Sequence, residues 1–187
     1  MSFRTQTIEQ FVSSLGAKQP TPGGGAAAAV GASIGSAAAS MAAAYTQRKK
    51  DKESGAAEKA VELVNALEVE DLFQAADDDA SAYADLQRTW KEIDMAADEK
   101  EKIEARALEV PTALLENCHG RIRKIQSFLP HCNKQITSDA KVGIHQLAGA
   151  ARSAYQTVLV NSPPVEEKMR LQALLKEIRE IEEEMLS

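Results

Sequence analysis

The run Asp77-Asp78-Asp79 lies inside the stretch DDDASAY, flanked by apolar residues that recur at helical spacing. Successive helical residues diverge by about 100°, so three carboxylates cannot share one face. At least one must turn toward the interior or a partner. Asp79, Tyr83 and Leu86 stand at i, i+4 and i+7, and Tyr83 and Leu86 belong to the apolar pattern, which aims Asp79 at a core or cleft. A carboxyl group there needs a hydrogen-bond partner or an elevated pKa, and such groups act as acids and bases near neutral pH. The competing explanation is an ordinary solvated charge run.

A second stretch with chemical potential is PTPGGGAAAAVGASIGS, residues 20–36. Glycines at a helix start leave bare N–H groups at the positive end of the helix dipole, which suits a carboxylate, a phosphate or a carbonyl oxygen. Alternatively, Gly23, Gly24 and Gly25 simply permit a tight turn and a close helix contact. The stretch lacks the Gly-Lys-Ser/Thr of a nucleotide phosphate loop, and the segment before it is helical in pattern, which excludes a dinucleotide fold. Within the helix Gly24, Ala28, Gly31, Gly35, Ala39 and Ala42 fall three or four apart, a spacing that lets another backbone approach closely.

Other chemistries fare less well. Cys118–His119 and His131–Cys132 form a Cys2His2 set on paper, but on a helix the two pairs lie about 18 Å apart, too far for one tetrahedral zinc. No metal site is expected, and both cysteines read as small core residues. His145 is assigned a structural place. The basic cluster Arg121, Arg123, Lys124 has no interleaved aromatics and reads as a solvated helix face or a local anion clamp. A formal net charge of −6 opposes nucleic-acid binding. Residues 24–46 carry no charge and are long enough to span a bilayer. They are mostly Ala, Gly and Ser, however, which gain little from hydrocarbon, so a buried core helix is expected and no membrane partner. The opening residues MSFRTQTIEQ lack an apolar export signal, and the expected location is cytoplasmic.

The elements that must position these residues are all helical. Aromatic residues make up only 4% of the 187-residue chain, and no alternating strand pattern is present. Ile8, Phe11, Val12 and Leu15 predict a short helix ending at Gly16, followed by the small-residue helix to about Gln47. A long helix is expected from Ala56 to about Ile93, and another from Ala96 to Phe128, with Pro111 kinking it or marking a start and Pro130 ending it. Thr137 or Ser138 is the expected N-cap of the next helix, with Asp139 in its first turn. A charged helix over Val165–Leu186 closes the chain, with Glu166/Arg170 and Lys176/Glu180 as i,i+4 pairs. The expectation is a single all-α domain over residues 1–187, a bundle of about five to seven helices with long antiparallel members.

Taken together, TPGGGAAAAVGASIGSAAASMAAAYTQRKK, DDDASAY, Pro111 and SDAKVGIHQLAGAARSAYQTVLVN resemble, in order and spacing over nearly the whole chain, the cyclodeaminase domain of formiminotransferase-cyclodeaminase. That family includes stand-alone methenyltetrahydrofolate cyclohydrolases. The most specific mark is Thr21 to Gly25. Asp79-Ala80-x-Ala82-Tyr83 matches a second element, and Ser138-Asp139-Ala140 with Asn161 a third. Where the family commonly shows Asn-Val-Arg-x-Asn, this chain has Thr157, Val158, Leu159, Val160 and Asn161, and a Gly-Lys-Lys appears as Arg48-Lys49-Lys50.

The resemblance implies a homodimeric, all-helical enzyme with folate bound in a cleft near the glycine turn. The expected activity is formiminotetrahydrofolate cyclodeaminase, an ammonia-lyase giving 5,10-methenyltetrahydrofolate; the alternatives are a methenyltetrahydrofolate cyclohydrolase giving 10-formyltetrahydrofolate, or a non-catalytic helical assembly or folate-binding protein. No cofactor beyond the tetrahydrofolate substrate is implied. Asp79 is the expected proton shuttle, and Asp139 the cation stabiliser or pterin partner. Substrate binding falls to Thr21, Pro22, Gly23, Gly24, Gly25, Tyr83, Ser138 and Asn161, with Lys49, Lys50 or Lys134 on the tail carboxylates.

Overall fold

Helix α2 (Gly24–Ala44) runs through the middle of the bundle and carries almost nothing larger than alanine on its inner side. In the computed structural model, which describes residues 2–186, it is preceded by α1 (Ile8–Leu15) and followed by α3 (Lys49–Glu53), α4 (Ala56–Ala66), α5 (Glu70–Lys91), α6 (Ala97–Phe128), α7 (Thr137–Val160) and α8 (Val165–Leu186). Among the described residues there is no strand. The fold is all-α, as expected, with the five-residue α3 added to seven longer helices.

The α2–α7 contact explains the small residues. A methyl group on Gly35 would come within 2.9–3.0 Å of Gln146 Cβ, Gly143 O and Leu147 N, and one on Gly143 would meet Ala39 Cβ and Gly35 O at 2.7 Å. The two backbones therefore touch, and any side chain at either glycine would force them apart. The helices are antiparallel: Gly35 faces Gly143 and Leu147, while past the end of α2 the Asn133 N–H donates to Thr46 Oγ1 at 3.0 Å. Larger apolar groups fill the space around this thin pair, with Leu115, Ile122 and Ile125 from α6 and Leu171 and Ile178 from α8 fully buried. Each contributes roughly 1.5–3 kcal/mol of burial. Among the described residues α2 alone passes by length and composition as a membrane span, but 56% of its apolar window is buried inside the bundle.

Several local expectations are corrected. The expected Ala56–Ile93 helix is two helices, α4 and α5, with a turn at Leu67–Val69. A straight helix would place Leu72 about 140° from Leu67; the turn lets both enter the core, at 0% and 1% exposure. Pro111 neither starts nor ends α6, which passes through it. The residue preceding α7 is Ile136 rather than Thr137 or Ser138, and it makes no side-chain cap; the Thr137 hydroxyl instead donates back to Asn133 O at 3.1 Å. Lys176 and Glu180 lie 3.8 Å apart as expected, whereas Arg170 pairs with Glu167 and Glu116 in place of Glu166.

Of the basic cluster, Arg123 and Lys124 are exposed, as a solvated helix face predicts, and Arg121 is the correction. Arg121 is only 6% exposed, and its guanidinium reaches Asp71 Oδ1 and Oδ2 at 2.7 and 2.8 Å, Asn117 Oδ1, and Ser36 Oγ at 3.3 Å. It is neither a solvated face nor an anion clamp; it ties α6 to α5 and α2. Burial pushes the Asp71 carboxyl up, but the hydrogen bonds from Asn117 and Arg121 outweigh it and hold the group below the ordinary aspartate range. The histidines are spread over separate contacts: His119 faces Glu177, His131 faces Lys59 and His145 faces Glu182 on α8. Cys118 and Cys132 are free and buried, and burial raises the Cys118 thiol to about 12.

Candidate functional site

The three aspartates of α5 go three ways. Asp77 accepts the Phe3 N–H at 2.8 Å and the Ser2 hydroxyl, which pins the N-terminal segment. Asp78 pairs with Arg106 of α6 at 3.5 Å. Asp79 turns inward, as its spacing predicts, and meets the first turn of α2. Its Oδ2 accepts the Ala26 N–H at 2.9 Å.

That bond stands where an N-cap side chain would normally act. Gly23 is the N-cap of α2 and has no side chain to offer, so a carboxylate from another helix satisfies one of the free N–H groups. The approach is possible only because residue 25 is glycine: a Cβ there would lie 1.9 Å from Asp79 Oδ1. By contrast, a Cβ on Gly23 or Gly24 meets nothing within 4 Å. One glycine admits the aspartate, and the two before it leave backbone open to the cleft.

Burial pushes the Asp79 carboxyl above the ordinary aspartate range, and the single N–H from Ala26 pulls the other way without cancelling it. Among the described residues no cation pairs with it. A carboxyl group raised in this way and open to a cleft is a candidate for acid–base chemistry.

Asp79 opens onto a cleft of about 910 Å³ between α2, α5 and α7. Thr21, Gly23, Gly24, Gly25, Tyr83 and Asn161 line it with Asp79; Pro22 is buried and does not, bordering instead a separate hollow with Asp77 and Ala80. The α7 wall adds Gln146, Ser153 and Gln156, polar groups with no special sequence pattern to mark them. Trp90 closes the far side of α5. Its signal is present in the sequence as one further turn of the series Asp79, Tyr83, Leu86.

Asn161 has a second duty. Pro111 has no N–H for the carbonyl four residues earlier, Ala107 O, and the Asn161 Nδ2 donates to that oxygen at 2.8 Å and to Thr157 O at 3.0 Å. Its amide nitrogen is committed to the fold while the residue borders the cleft.

The remaining expected site residues lie elsewhere. Asp139 and Ser138 open α7, beside the far end of α2, with Ser138 Oγ donating to Asp139 Oδ2 at 3.3 Å. Asp139 is about 10 Å along the axis from Gln146, the first α7 residue in the cleft, at 1.5 Å per residue. Lys49, Lys50 and Lys134 are exposed at that same far end. Within one chain, the structure does not bring them to Asp79.

A family model for formiminotransferase-cyclodeaminase matches residues 7–180. The chain belongs to this family. As a family member it is 29% identical over 181 residues to the methenyltetrahydrofolate cyclohydrolase of Methylorubrum extorquens, covering 92% of this chain and 87% of that protein. Its fold matches the crystal structure of formiminotetrahydrofolate cyclodeaminase from Thermotoga maritima with a TM-score of 0.85, at 21% identity, over 98% of this chain and 99% of that one. The folate one-carbon family expected from the glycine turn and the Asp79 element is thereby established; the reaction this member runs is a separate matter.

Proposed function

We propose that this protein acts in the cytoplasm on the one-carbon bridge of a tetrahydrofolate derivative, with Asp79 as the group that moves the proton. The observation that carries it is a half-buried carboxyl with an elevated pKa at the floor of a cleft, next to open backbone at Gly23 and Gly24. The relative at 29% identity favours the cyclohydrolase reaction. Water adds to the carbon between N5 and N10 of 5,10-methenyltetrahydrofolate as Asp79 takes one of its protons. The carbon–N5 bond then breaks, N5 receives that proton, and the new hydroxyl loses its own as the formyl carbonyl forms. An ionised Asp79 also steadies the cationic bridge before attack.

The cyclodeaminase reaction uses the same geometry and is the second reading, favoured by the closeness of the fold to the Thermotoga enzyme. N10 attacks the carbon of the protonated formimino group of 5-formiminotetrahydrofolate. Asp79 passes the N10 proton to the resulting amino group, and the tetrahedral carbon expels it as ammonia to leave the cationic methenyl bridge. Neither route calls for a metal or a covalent enzyme intermediate.

A homodimer goes with either reaction. The outer side of α2 and α7 carries Ile34, Met41, Tyr45, Val142 and Val160, all at least 42% exposed, on a stripe that runs into the cleft. A second copy laid antiparallel on that stripe sets its Lys49, Lys50, Lys134 and Asp139 toward the first copy's cleft, where the lysines can hold the glutamate tail.

The test follows the methenyl chromophore in two mixtures. Faster loss of methenyltetrahydrofolate than in buffer makes the protein a cyclohydrolase; appearance of the chromophore from 5-formiminotetrahydrofolate with release of ammonia makes it a cyclodeaminase. Silence in both, from folded protein whose melting temperature still rises with folate, makes it a folate-binding protein that has lost the reaction.

A further inference from the structure

Trp90 is the only tryptophan in the chain, and it is 64% exposed on the wall of the cleft. An indole left so open forgoes a large burial term, and it commonly marks a place where something else supplies the cover. Its ring lies 6.3 Å from that of Tyr83, with an 80° angle between planes. Two rings set nearly at right angles make a corner. A third flat ring laid on one of them presents its edge to the other, so both contacts have favourable quadrupole geometry.

The corner stands at a definite place relative to Asp79. Asp79, Tyr83, Leu86 and Trp90 follow one face of α5, and the helical rise puts Tyr83 about 6 Å and Trp90 about 16 Å beyond the carboxylate. The Asp79 end of the cleft is polar, with the bare backbone of Gly23 and Gly24; the Trp90 end is apolar, with Leu86 and Val160. A tetrahydrofolate has the same gradient: a pterin rich in donors and acceptors, then the one-carbon bridge, then a benzoyl ring with none in its ring. We propose that Trp90 and Tyr83 form the aromatic platform for the p-aminobenzoyl ring, with the pterin and bridge held at the Asp79 end. Trp90 thereby positions the substrate along α5. This assignment rests on the folate reading of the same cleft.

Tryptophan emission reports position 90 alone, which makes the test direct. The full chain is titrated with 5-formyltetrahydrofolate and, separately, with p-aminobenzoylglutamate and with a pterin lacking the benzoyl group, and binding is measured in parallel by calorimetry. Both benzoyl-bearing compounds should quench the emission. Trp90→Ala should weaken both by about tenfold and leave the pterin unaffected, while Trp90→Phe should restore most of the loss. Since Trp90 is largely exposed, the alanine variant should melt with the parent protein. If 5-formyltetrahydrofolate leaves the parent's emission unchanged and binds the Trp90→Ala variant as tightly as the parent, the platform assignment falls and the folate reading stands. If no folate gives heat of binding to the folded parent, both fall.

Discussion

Gly25 stands where any side chain would occupy the space of the Asp79 carboxylate, with only 1.9 Å between an added Cβ and Oδ1. The two residues come from different helices, 54 positions apart, and the only bond between their segments is the Ala26 N–H to Oδ2. The position of the Asp79 carboxylate is thus set by the absence of an atom on the neighbouring backbone. Gly25→Ala should displace Asp79 from the first turn of α2, lower activity at least a hundredfold and destabilise by about 2 kcal/mol through overpacking. Gly24→Ala meets no atom within 4 Å and should melt at or above the parent temperature. Turnover assays and thermal melts of the two variants, run side by side, check the contrast; equal activity in Gly25→Ala would remove Asp79's placement from the mechanism.

Asp79→Asn should trade activity for stability. The folded-state pKa of Asp79 is raised by burial, so the folded protein binds a proton more tightly than the unfolded chain. Its contribution is most favourable below the ordinary aspartate value of 3.8 and is lost as pH rises through the folded pKa. A neutral amide removes the penalty of a buried charge while its oxygen can still accept the Ala26 N–H. The variant should therefore melt higher than the parent at pH 8, with the gain shrinking on acidification. Turnover should fall while folate affinity holds. A melting difference that does not vary with pH would mean that Asp79 titrates normally.

Asn161 and Pro111 should be coupled. Asn161→Ala leaves the buried Ala107 carbonyl without a donor and should destabilise by about 1–2 kcal/mol. In a Pro111→Ala background the restored N–H serves that carbonyl, and the same Asn161→Ala change should matter by less than about 0.5 kcal/mol. Denaturant unfolding of the four proteins completes the cycle. Simple additivity would show that Asn161 acts through the cleft rather than through α6.

Removing Asp71 should cost more than its half-exposed surface implies. Arg121 is 6% exposed, and Asp71→Ala leaves its charge buried beside Asn117 and Ser36 alone. A loss of about 2–3 kcal/mol is expected, below the full range for buried pairs because Asp71 is half in water. The pair's contribution should be present above the ordinary aspartate value and fade as pH falls through the depressed folded value of Asp71. Urea unfolding at neutral and acid pH measures both; a loss unchanged by acid would assign it to packing instead.

Much of the site could be read along the chain because it depends on short-range spacing. The period of Asp79, Tyr83 and Leu86 gives the inward direction of the carboxylate, and the glycine run gives the open helix start. The break at Leu67–Val69 had no glycine or proline to announce it, since it arises from the need of Leu67 and Leu72 to reach one core. Arg121 misled for a similar reason: in sequence it belongs to a basic cluster, and only Asp71, 50 residues away, makes its burial tolerable.

By itself the sequence determined an all-helical chain and a small-residue helix made for close contact. It marked Asp79 as the aspartate of the run in register with the apolar face, with a solvated charge run as the competing reading. Helical period and side-chain size act over a few residues, so no partner is needed to infer them. Tertiary structure decided which helix start Asp79 reaches, that Asn161 replaces the bond Pro111 lacks, and that Asp139 and the lysines stand at the other end of α2. Those outcomes follow from antiparallel packing of α2 on α7, a contact between segments more than a hundred residues apart that no local pattern encodes.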